Sequence, residues 1–125
     1  MQTTSSIGKT GEQIAANFLE KHGFKILETN YQNDSGRRIG EIDIVAQDKD
    51  EIVFVEVKTR DIKYFNTLPE ENITYSKLRK LSKIASVFLR KRKLDGEPYR
   101  FDAISVWIDF ENRNAKVKHL RNIYL

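Results

Sequence analysis

Apolar residues recur along the chain with two different periods, and the longer period is that of an amphipathic helix. The first predicted helix ends near Gly23, a natural stop, and its apolar stripe consists of Ile14, Ala15, Phe18 and Leu19. The second is predicted over Tyr75–Lys93, with Thr74 as its N-cap. Its stripe is formed by Leu78, Leu81, Ile84, Ala85, Phe88 and Leu89.

The shorter period, two residues, predicts β-strands. Gly40–Gln47 and Ile52–Thr59 have this period, and the polar segment Asp48–Glu51 between them makes a β-hairpin the simplest interpretation. Residues 60–73 are predicted to form a loop. Three further strands are predicted at Phe24–Thr29, Tyr99–Ile108 and Lys116–Leu120. The order α-β-β-β-α-β-β predicts an α/β fold, a mixed β-sheet flanked by helices.

Composition narrows the class of protein. A chain of 125 residues, 39% of them hydrophobic, is long enough to bury a core. The absence of cysteine excludes a disulfide scaffold, a cysteine nucleophile and a thiolate metal site. No apolar stretch approaches the length of a membrane helix, and the polar start does not resemble a signal peptide. We therefore expect one cytoplasmic domain over residues 1–125, with no membrane partner.

The net charge of +4 is unevenly distributed. The segment from Ile73 to Leu94 holds eight basic residues and no acidic one, which leaves 14 basic residues against all 18 acidic ones elsewhere. A basic segment on an acidic body indicates a localised contact with a polyanion. A solvated helix face is the ordinary alternative. The eight residues are Lys77, Arg79, Lys80, Lys83, Arg90, Lys91, Arg92 and Lys93.

Burial fixes the register that we predict for the hairpin. If Gln47 lies opposite Ile52, then Asp43 lies opposite Glu56, and a one-residue slip would move every apolar side chain to the other face. In this register one face collects Ile42, Ile44, Ala46, Val53, Val55 and Val57. The same register puts Asp43, Glu56 and Lys58 on the opposite face.

Two carboxylates directly opposite each other repel, so a positive charge is expected between them. Lys58 supplies one, and a divalent cation would convert the repulsion into coordination. Because the available ligands are oxygens, Mg²⁺ or Mn²⁺ is the expected metal. A Glu-x-Lys pair is also common on solvated sheet faces, and that interpretation stays open. Phe54 on the same face and Glu12 at the apolar edge of the first helix favour a functional site, although Glu12 would also suit the helix dipole.

The four residues Glu12, Asp43, Glu56 and Lys58 resemble the active-site signature of the PD-(D/E)-x-K nucleases, which share the restriction-endonuclease-like fold. More closely, the chain is similar to the YraN-like family of bacterial proteins, itself similar to archaeal Holliday-junction resolvases. One departure is Ile42, which stands where the signature has proline. The matching segments are residues 8–12, 40–46, 53–60, 69–71, 77–81 and 100–102.

This resemblance implies a single endonuclease-like domain that hydrolyses phosphodiester bonds of DNA, including branched DNA. Asp43, Glu56 and the Val57 carbonyl would bind the metal. Glu12 would be an auxiliary ligand, directly or through water. Lys58 would orient or help deprotonate the attacking water and stabilise charge on the phosphorane. Whether one metal or two bind stays open.

The basic helix and nearby cations would then contact phosphates, and the expected residues are Arg37, Arg38, Arg60, Lys77, Arg79, Lys80 and Lys83. In the predicted loop, Tyr64 and Phe65 could stack on an unpaired base or simply pack. A homodimer would suit a two-fold junction. The alternatives are a nucleic-acid-binding module with little or no catalysis and a metal-free adaptor. The preference for DNA over RNA is not fixed by the sequence.

Three remaining polar residues are not expected to take part in catalysis. His22 and His119 have no acidic partner that the sequence reveals, so a histidine-based hydrolase is not expected. Asp102 is expected to have a local structural role near the start of its strand, although it could also serve as a fourth acidic ligand.

Overall fold

The computed structural model describes residues 4–34, 36–65 and 75–123, in which two helices flank a five-stranded sheet. The order α-β-β-β-α-β-β is confirmed, and with it the α/β class. Thr74, the predicted N-cap, lies outside the described residues. The elements are α1 (Thr4–Lys21), β1 (Lys25–Gln32), β2 (Glu41–Asp48), β3 (Glu51–Asp61), a short 3₁₀-helix (Ile62–Tyr64), α2 (Tyr75–Lys91), β4 (Tyr99–Asp109) and β5 (Asn114–Leu120).

The strands lie side by side in chain order, β1-β2-β3-β4-β5. Three neighbouring pairs are antiparallel, whereas β3 and β4 are parallel from the pair Ile52–Tyr99 to the pair Asp61–Ile108. A parallel pair requires a crossover connection, and α2 lies within it. Among the described residues, no helix is long and apolar enough to cross a membrane.

Each face of the sheet has its own core. On the α1 side, Ala15 and Leu19 pack against Ile44, Val55 and Ile104. On the α2 side the buried set includes Val45, Phe54, Ile84, Phe88 and Phe101. Because helices cover both faces, the middle of β3 is buried continuously from Ile52 to Val55. Full burial of each large apolar side chain contributes roughly 1.5–3 kcal/mol.

The predicted hairpin register is confirmed, since Gln47 pairs with Ile52. The turn is shorter than expected. Asp48 and Glu51 also pair, so the connection is two residues rather than four. Lys49 adopts a left-handed conformation there, with φ of 58°, which such two-residue turns require.

The predicted position of Ile42 is wrong. Ile42 packs in the core on the α2 side, whereas Ile44 belongs to the core on the α1 side. The physical reason is that the pairing of β2 with β3 ends at Ile44 and Val55. Beyond that point β3 no longer constrains β2, which goes on pairing with β1 alone through Ile42 and Glu41.

The predicted loop over residues 60–73 is also corrected at its start. Strand β3 continues through Arg60 to Asp61, and its ladder with β4 reaches the same residue. The Asp61 carboxylate then accepts the Lys63 backbone N–H at 3.0 Å and caps the 3₁₀-helix. The sequence pattern missed this extension because Arg60 and Asp61 are charged.

Candidate functional site

Asp43 lies where β2 and β3 separate. Its Oδ2 accepts the backbone N–H of Val57 at 2.8 Å. Burial raises the pKa of the Asp43 carboxyl to about 7, with the Val57 hydrogen bond opposing the shift and the charges of Glu12, Glu56 and Glu41 adding to it. The side chain predicted from the hairpin is therefore a largely desolvated acid surrounded by other acids.

Helix α1 brings Glu12 to this point because Gly11 permits a close approach to β3. A Cβ on Gly11 would overlap the Thr59 hydroxyl and lie 2.7 Å from Thr59 Cγ2. Burial raises the pKa of the Glu12 carboxyl, and the negative charge of Glu41 raises it further. The glutamate at the edge of the helical stripe is thus held beside Asp43, as the sequence analysis expected.

Three carboxylates meet here, and Glu12, Glu41 and Asp43 are hereafter called the acid cluster. Each offers one oxygen, and the three oxygens lie within 4.8 Å of one another. Glu41 was not predicted, although a signal existed. It stands two residues before Asp43 on β2, the same spacing that separates Glu56 from Lys58 on β3.

Polar side chains from β1 and the following loop donate hydrogen bonds to the acid cluster, and one of them, Arg38, also brings a positive charge. With its amide nitrogen facing the acids, Asn30 donates to Glu12 Oε2 at 3.0 Å and to Glu41 Oε1 at 2.8 Å. Asn30 reaches this position in a left-handed conformation, φ 51°, which asparagine tolerates better than most residues. Gln32 and Arg38 donate to the other oxygen, Glu41 Oε2, at 3.1 and 3.3 Å.

Glu56 and Lys58 follow on β3, and the structure brings them together. Lys58 Nζ lies 3.5 Å from Glu56 Oε1. Glu56 Oε2 is buried and makes no hydrogen bond within the described parts of the chain. Glu56 does not belong to the acid cluster by distance, but its charge acts on Asp43. An unsatisfied buried carboxylate oxygen is costly unless a ligand or cation meets it.

A cleft of about 170 Å³ connects these acids to the basic helix. Glu41 and Glu56 line it from the sheet, and Lys77 and Lys80 line it from the first half of α2. The cleft therefore sets two carboxylates opposite two ammonium groups. Apolar side chains of α2 and Gly40 complete its wall.

The two ends of the basic run have different surroundings. Lys77, Arg79, Lys80 and Lys83 are exposed, and the last three line a second cleft of about 260 Å³ with Ser76. Near the C-terminal end, Lys91 and Arg92 form ion pairs with acids of β1 and the next loop. Arg92 Nη2 lies 2.6 Å from Glu28 Oε2, and Lys91 pairs with Asp34.

The remaining predicted phosphate contacts are spread around the site. Arg37 is exposed, and Arg38 pairs with Glu41 in the acid cluster. Arg60 lies on β3, partly exposed. Of the two loop aromatics, Phe65 packs edge-on against Trp107 with ring centroids 5.0 Å apart, whereas Tyr64 is 43% exposed. Packing is therefore the outcome for Phe65.

The expectation that His119 has no acidic partner is wrong. His119 Nε2 lies 2.8 Å from Oδ2 of Asp102, which is fully buried. Asp102 also accepts two bonds from Arg100 and one from the Asn122 backbone, and His119 and Arg100 hold the pKa of its carboxyl low against the effect of burial. These contacts give Asp102 the structural role that was expected. Pairing between neighbouring strands brings the two residues close, so no local pattern could reveal the contact.

Comparison with known proteins decides the family. The model described as "Uncharacterised protein family UPF0102" matches residues 11–106, a span that includes Glu12, Asp43, Glu56 and Lys58. The chain belongs to the uncharacterised protein family UPF0102. This is the YraN-like family that the sequence resembles, so that resemblance is confirmed.

The relatives of this UPF0102 protein are similar over nearly their whole length. It is 39% identical over 119 residues to a UPF0102 protein of Caldicellulosiruptor bescii, covering 94% of this chain and 96% of the relative. It is 42% identical over 120 residues to one of Caldanaerobacter subterraneus subsp. tengcongensis, covering 95% and 94%. A Moorella thermoacetica relative is 40% identical over 117 residues, covering 94% and 93%.

Proposed function

We propose that this UPF0102 protein is a cytoplasmic, metal-dependent nuclease that hydrolyses phosphodiester bonds of DNA, including branched DNA of the Holliday-junction type. One observation carries the proposal. Three carboxylate oxygens converge within 4.8 Å at the divergence of β2 and β3, and the nearby Glu56 has a buried oxygen without a hydrogen-bond donor in the described residues. Carboxylates this close together, with the Arg38 guanidinium paired to Glu41, are expected where a metal cation binds.

The donor set fits Mg²⁺ or Mn²⁺. All the side chains involved offer oxygen, which these hard cations prefer. Asp43 and Glu56 would be the principal ligands, with the Val57 carbonyl and Glu12 as further ligands. Glu41 joins this proposed set because it belongs to the acid cluster. A bound divalent cation would supply Lewis-acid stabilisation of the phosphate and lower the pKa of a coordinated water.

Lys58 would act on the phosphate and on the attacking water. The Glu56 carboxylate lies 3.5 Å from its ammonium group. From there it can donate to a phosphate oxygen and to the attacking water, which orients the water and stabilises charge as the phosphorane forms. Asp43 would contribute as a carboxylate held in place by the Val57 N–H.

The cations near the site would bind the substrate backbone. Lys77 and Lys80 lie across the cleft from Glu41 and Glu56, so a phosphate in that cleft would be within reach of both the site and the helix. Phosphate contacts of this kind position a nucleic acid and make affinity depend strongly on salt. The further contacts proposed are Arg37, Arg38, Arg60, Arg79 and Lys83.

A cleavage assay tests this function. Labelled four-way junction, flap and linear duplex DNA would be incubated with the protein in Mg²⁺, Mn²⁺ or EDTA. We expect cleavage with either metal, none in EDTA, and a loss of about 100-fold or more in Asp43→Asn and Lys58→Gln. Glu20→Gln, an exposed substitution on α1, should cleave normally.

Binding without cleavage in either metal would contradict the nuclease proposal and favour a nucleic-acid-binding module. Cleavage of a junction would also report on assembly. Two symmetrical cuts made in one binding event would support the homodimer that the two-fold symmetry of a junction suggests.

A further inference from the structure

Part of the α2-side face of the sheet is not covered by α2. Val57, Ile104, Val106 and Val117 pack with the core on the α1 side, so the residues between them project to the opposite face. Pairing of β3 with β4 and of β4 with β5 aligns these residues in three rows. The rows are Glu56–Ala103–Leu120, Lys58–Ser105–Lys118 and Arg60–Trp107–Lys116.

The last two rows define the basic sheet face. They contain four cations, two on β3 and two on β5, and no acid. Lys116 and Lys118 are exposed, and Ser105 between the flanking strands is partly exposed. Asp109, the next residue of β4 on this face, is bonded within its own turn to Asn112. The face therefore presents concentrated positive charge.

The shape of this face also suits an extended anion. Ala103 and Ser105 are the small residues of the central strand, and longer cationic side chains flank Ser105 on both sides. Lys58 and Lys118 lie two strand spacings apart, roughly 10 Å. The small residues keep this part of the face low at Ala103 and Ser105, whereas in the next row Phe65 packs against Trp107.

The basic sheet face is continuous with the proposed active site. Lys58 belongs to both, and Glu56 begins the adjoining row. A chain of phosphates bound near Glu56 would meet the cations of this face next. Lys116 and Lys118 are not among the phosphate contacts expected from the sequence.

We propose that the basic sheet face is a second nucleic-acid contact, across which the phosphodiester backbone leading away from the scissile bond lies. The direction of this path rests on the function proposed above. The binding of a nucleic-acid backbone to the face rests on the charge and register of β3, β4 and β5.

A structural alternative exists for each lysine of β5. Lys116 Nζ lies 4.6 Å from the centroid of the Phe65 ring, so it helps to pack that ring. Lys118 lies on an edge strand, where lysine discourages pairing between molecules. The test must therefore separate DNA affinity from folding and self-association.

The variants are Lys118→Gln and the pair Lys116→Gln/Lys118→Gln, with Lys118→Arg as the conservative substitution. The control is Lys25→Gln/Arg90→Gln, which removes the same charge from β1 and from the last turn of α2. Fluorescence anisotropy would follow binding of labelled DNA in EDTA, which prevents cleavage, between 50 and 200 mM salt. Thermal melting and size-exclusion chromatography would check folding and assembly.

We expect the slope of log affinity against log salt to become less steep by about 2 in the double variant and by about 1 in Lys118→Gln. Lys118→Arg and the control pair should keep the wild-type slope. The inference is overturned if the double variant binds like the wild type, or if the control loses as much. A double variant that only self-associates would overturn it too, in favour of edge protection.

These outcomes are separable from those of the nuclease assay. A wild type that binds DNA with the expected slope but never cleaves it would contradict the proposed function and leave the basic sheet face supported. A wild type that cleaves DNA while the double variant binds and cleaves equally well would contradict the inference alone. No DNA binding by the wild type would contradict both.

Discussion

Val57 donates its backbone N–H to the Asp43 carboxylate across 2.8 Å where the pairing of β2 with β3 has stopped. Beyond the pair Ile44–Val55, the side chain of Asp43 thus accepts a backbone N–H of the neighbouring strand. The bond fixes a buried acid at the divergence of the strands. Glu12 and Glu41 crowd the same point, so the metal-free protein bears an electrostatic cost there.

The first prediction concerns how the stability of the protein, kept metal-free in EDTA, depends on pH. Burial raises the pKa of Asp43 to about 7, from 3.8. The folded protein therefore retains a proton that the unfolded chain loses, and this contribution to stability, fully present below about pH 4, is lost as the pH rises to 7. We expect Asp43→Asn, which can still accept the Val57 N–H, to be more stable than the wild type at pH 8.

Thermal melting from pH 5 to pH 8 measures this difference, and about 1 kcal/mol would correspond to about 3–6 °C. The advantage of Asp43→Asn should shrink as the pH falls. Glu20→Gln serves as the control, because Glu20 is exposed. A variant that is less stable than the wild type at pH 8 would show that the acid cluster carries no such cost.

The second prediction concerns the contact between α1 and β3. Gly11→Ala should destabilise the protein by about 1–3 kcal/mol, because the new methyl group would overlap Thr59. Gly8→Ala is a matched control on the same helix, since no atom of the described residues outside the adjoining helix backbone lies within 4 Å of a Cβ at that position. It should be neutral or slightly stabilising, as alanine is favoured over glycine within helices.

Chemical denaturation would measure both glycine variants. Equal effects at the two positions would mean that the close approach of Gly11 to Thr59 does not determine the position of α1.

The third prediction concerns the buried network around Asp102. Asp102→Ala should cost about 1–3 kcal/mol, because the donors of Arg100, His119 and the Asn122 backbone lose a fully buried acceptor, although Glu51 and Asp48 still pair with the Arg100 guanidinium. Asp50→Ala, in the exposed β2–β3 turn, is the control. Urea unfolding at pH 7 gives the difference, and a cost below about 1 kcal/mol would contradict the structural role.

The same network predicts the direction of an acid effect. Hydrogen bonds from His119 and Arg100, against the effect of burial, hold the pKa of Asp102 below 3.8. Its contribution to stability is therefore present above pH 3.8 and is lost as the pH falls through the lowered value. The wild type and Asp102→Ala should converge in stability only under strongly acidic conditions. Convergence already at pH 5 would contradict the shift.

The strands could be predicted from the sequence because every second residue of a strand faces the same side, which gives a two-residue period of apolar side chains. The register of Gln47 with Ile52 followed from that alternation. The pattern failed for Ile42, because alternation cannot reveal where two paired strands separate. Glu41 was overlooked although it shares its spacing with the pair Glu56 and Lys58.

Contacts between residues far apart in the chain could not be predicted from local sequence patterns. Nothing local to Arg92 indicates that Glu28 of β1 will bind it, so the charge run of α2 could not be divided in advance. The pairing of His119 with Asp102 likewise depends on β5 lying beside β4. Such contacts arise from the assembled sheet.

The fourth prediction tests the division of the basic helix. Lys80 lines both clefts, whereas Arg92 is engaged by Glu28. Lys80→Gln should weaken DNA binding several-fold and make its salt dependence shallower by about 1. Arg92→Gln should bind DNA within about twofold of the wild type and lose at most about 1 kcal/mol of stability. Anisotropy titrations would measure the affinities, and equal losses would mean that the whole helix contacts DNA.

The position of a bound metal ion would show whether Asp43 and the acid cluster form a metal site. A crystal of the protein soaked in Mn²⁺ would locate the ion by anomalous scattering. We expect a peak within bonding distance of the Asp43 carboxylate, with Glu56 or a member of the acid cluster among its other ligands. Full occupancy elsewhere on the molecule, with the acid cluster empty, would contradict it.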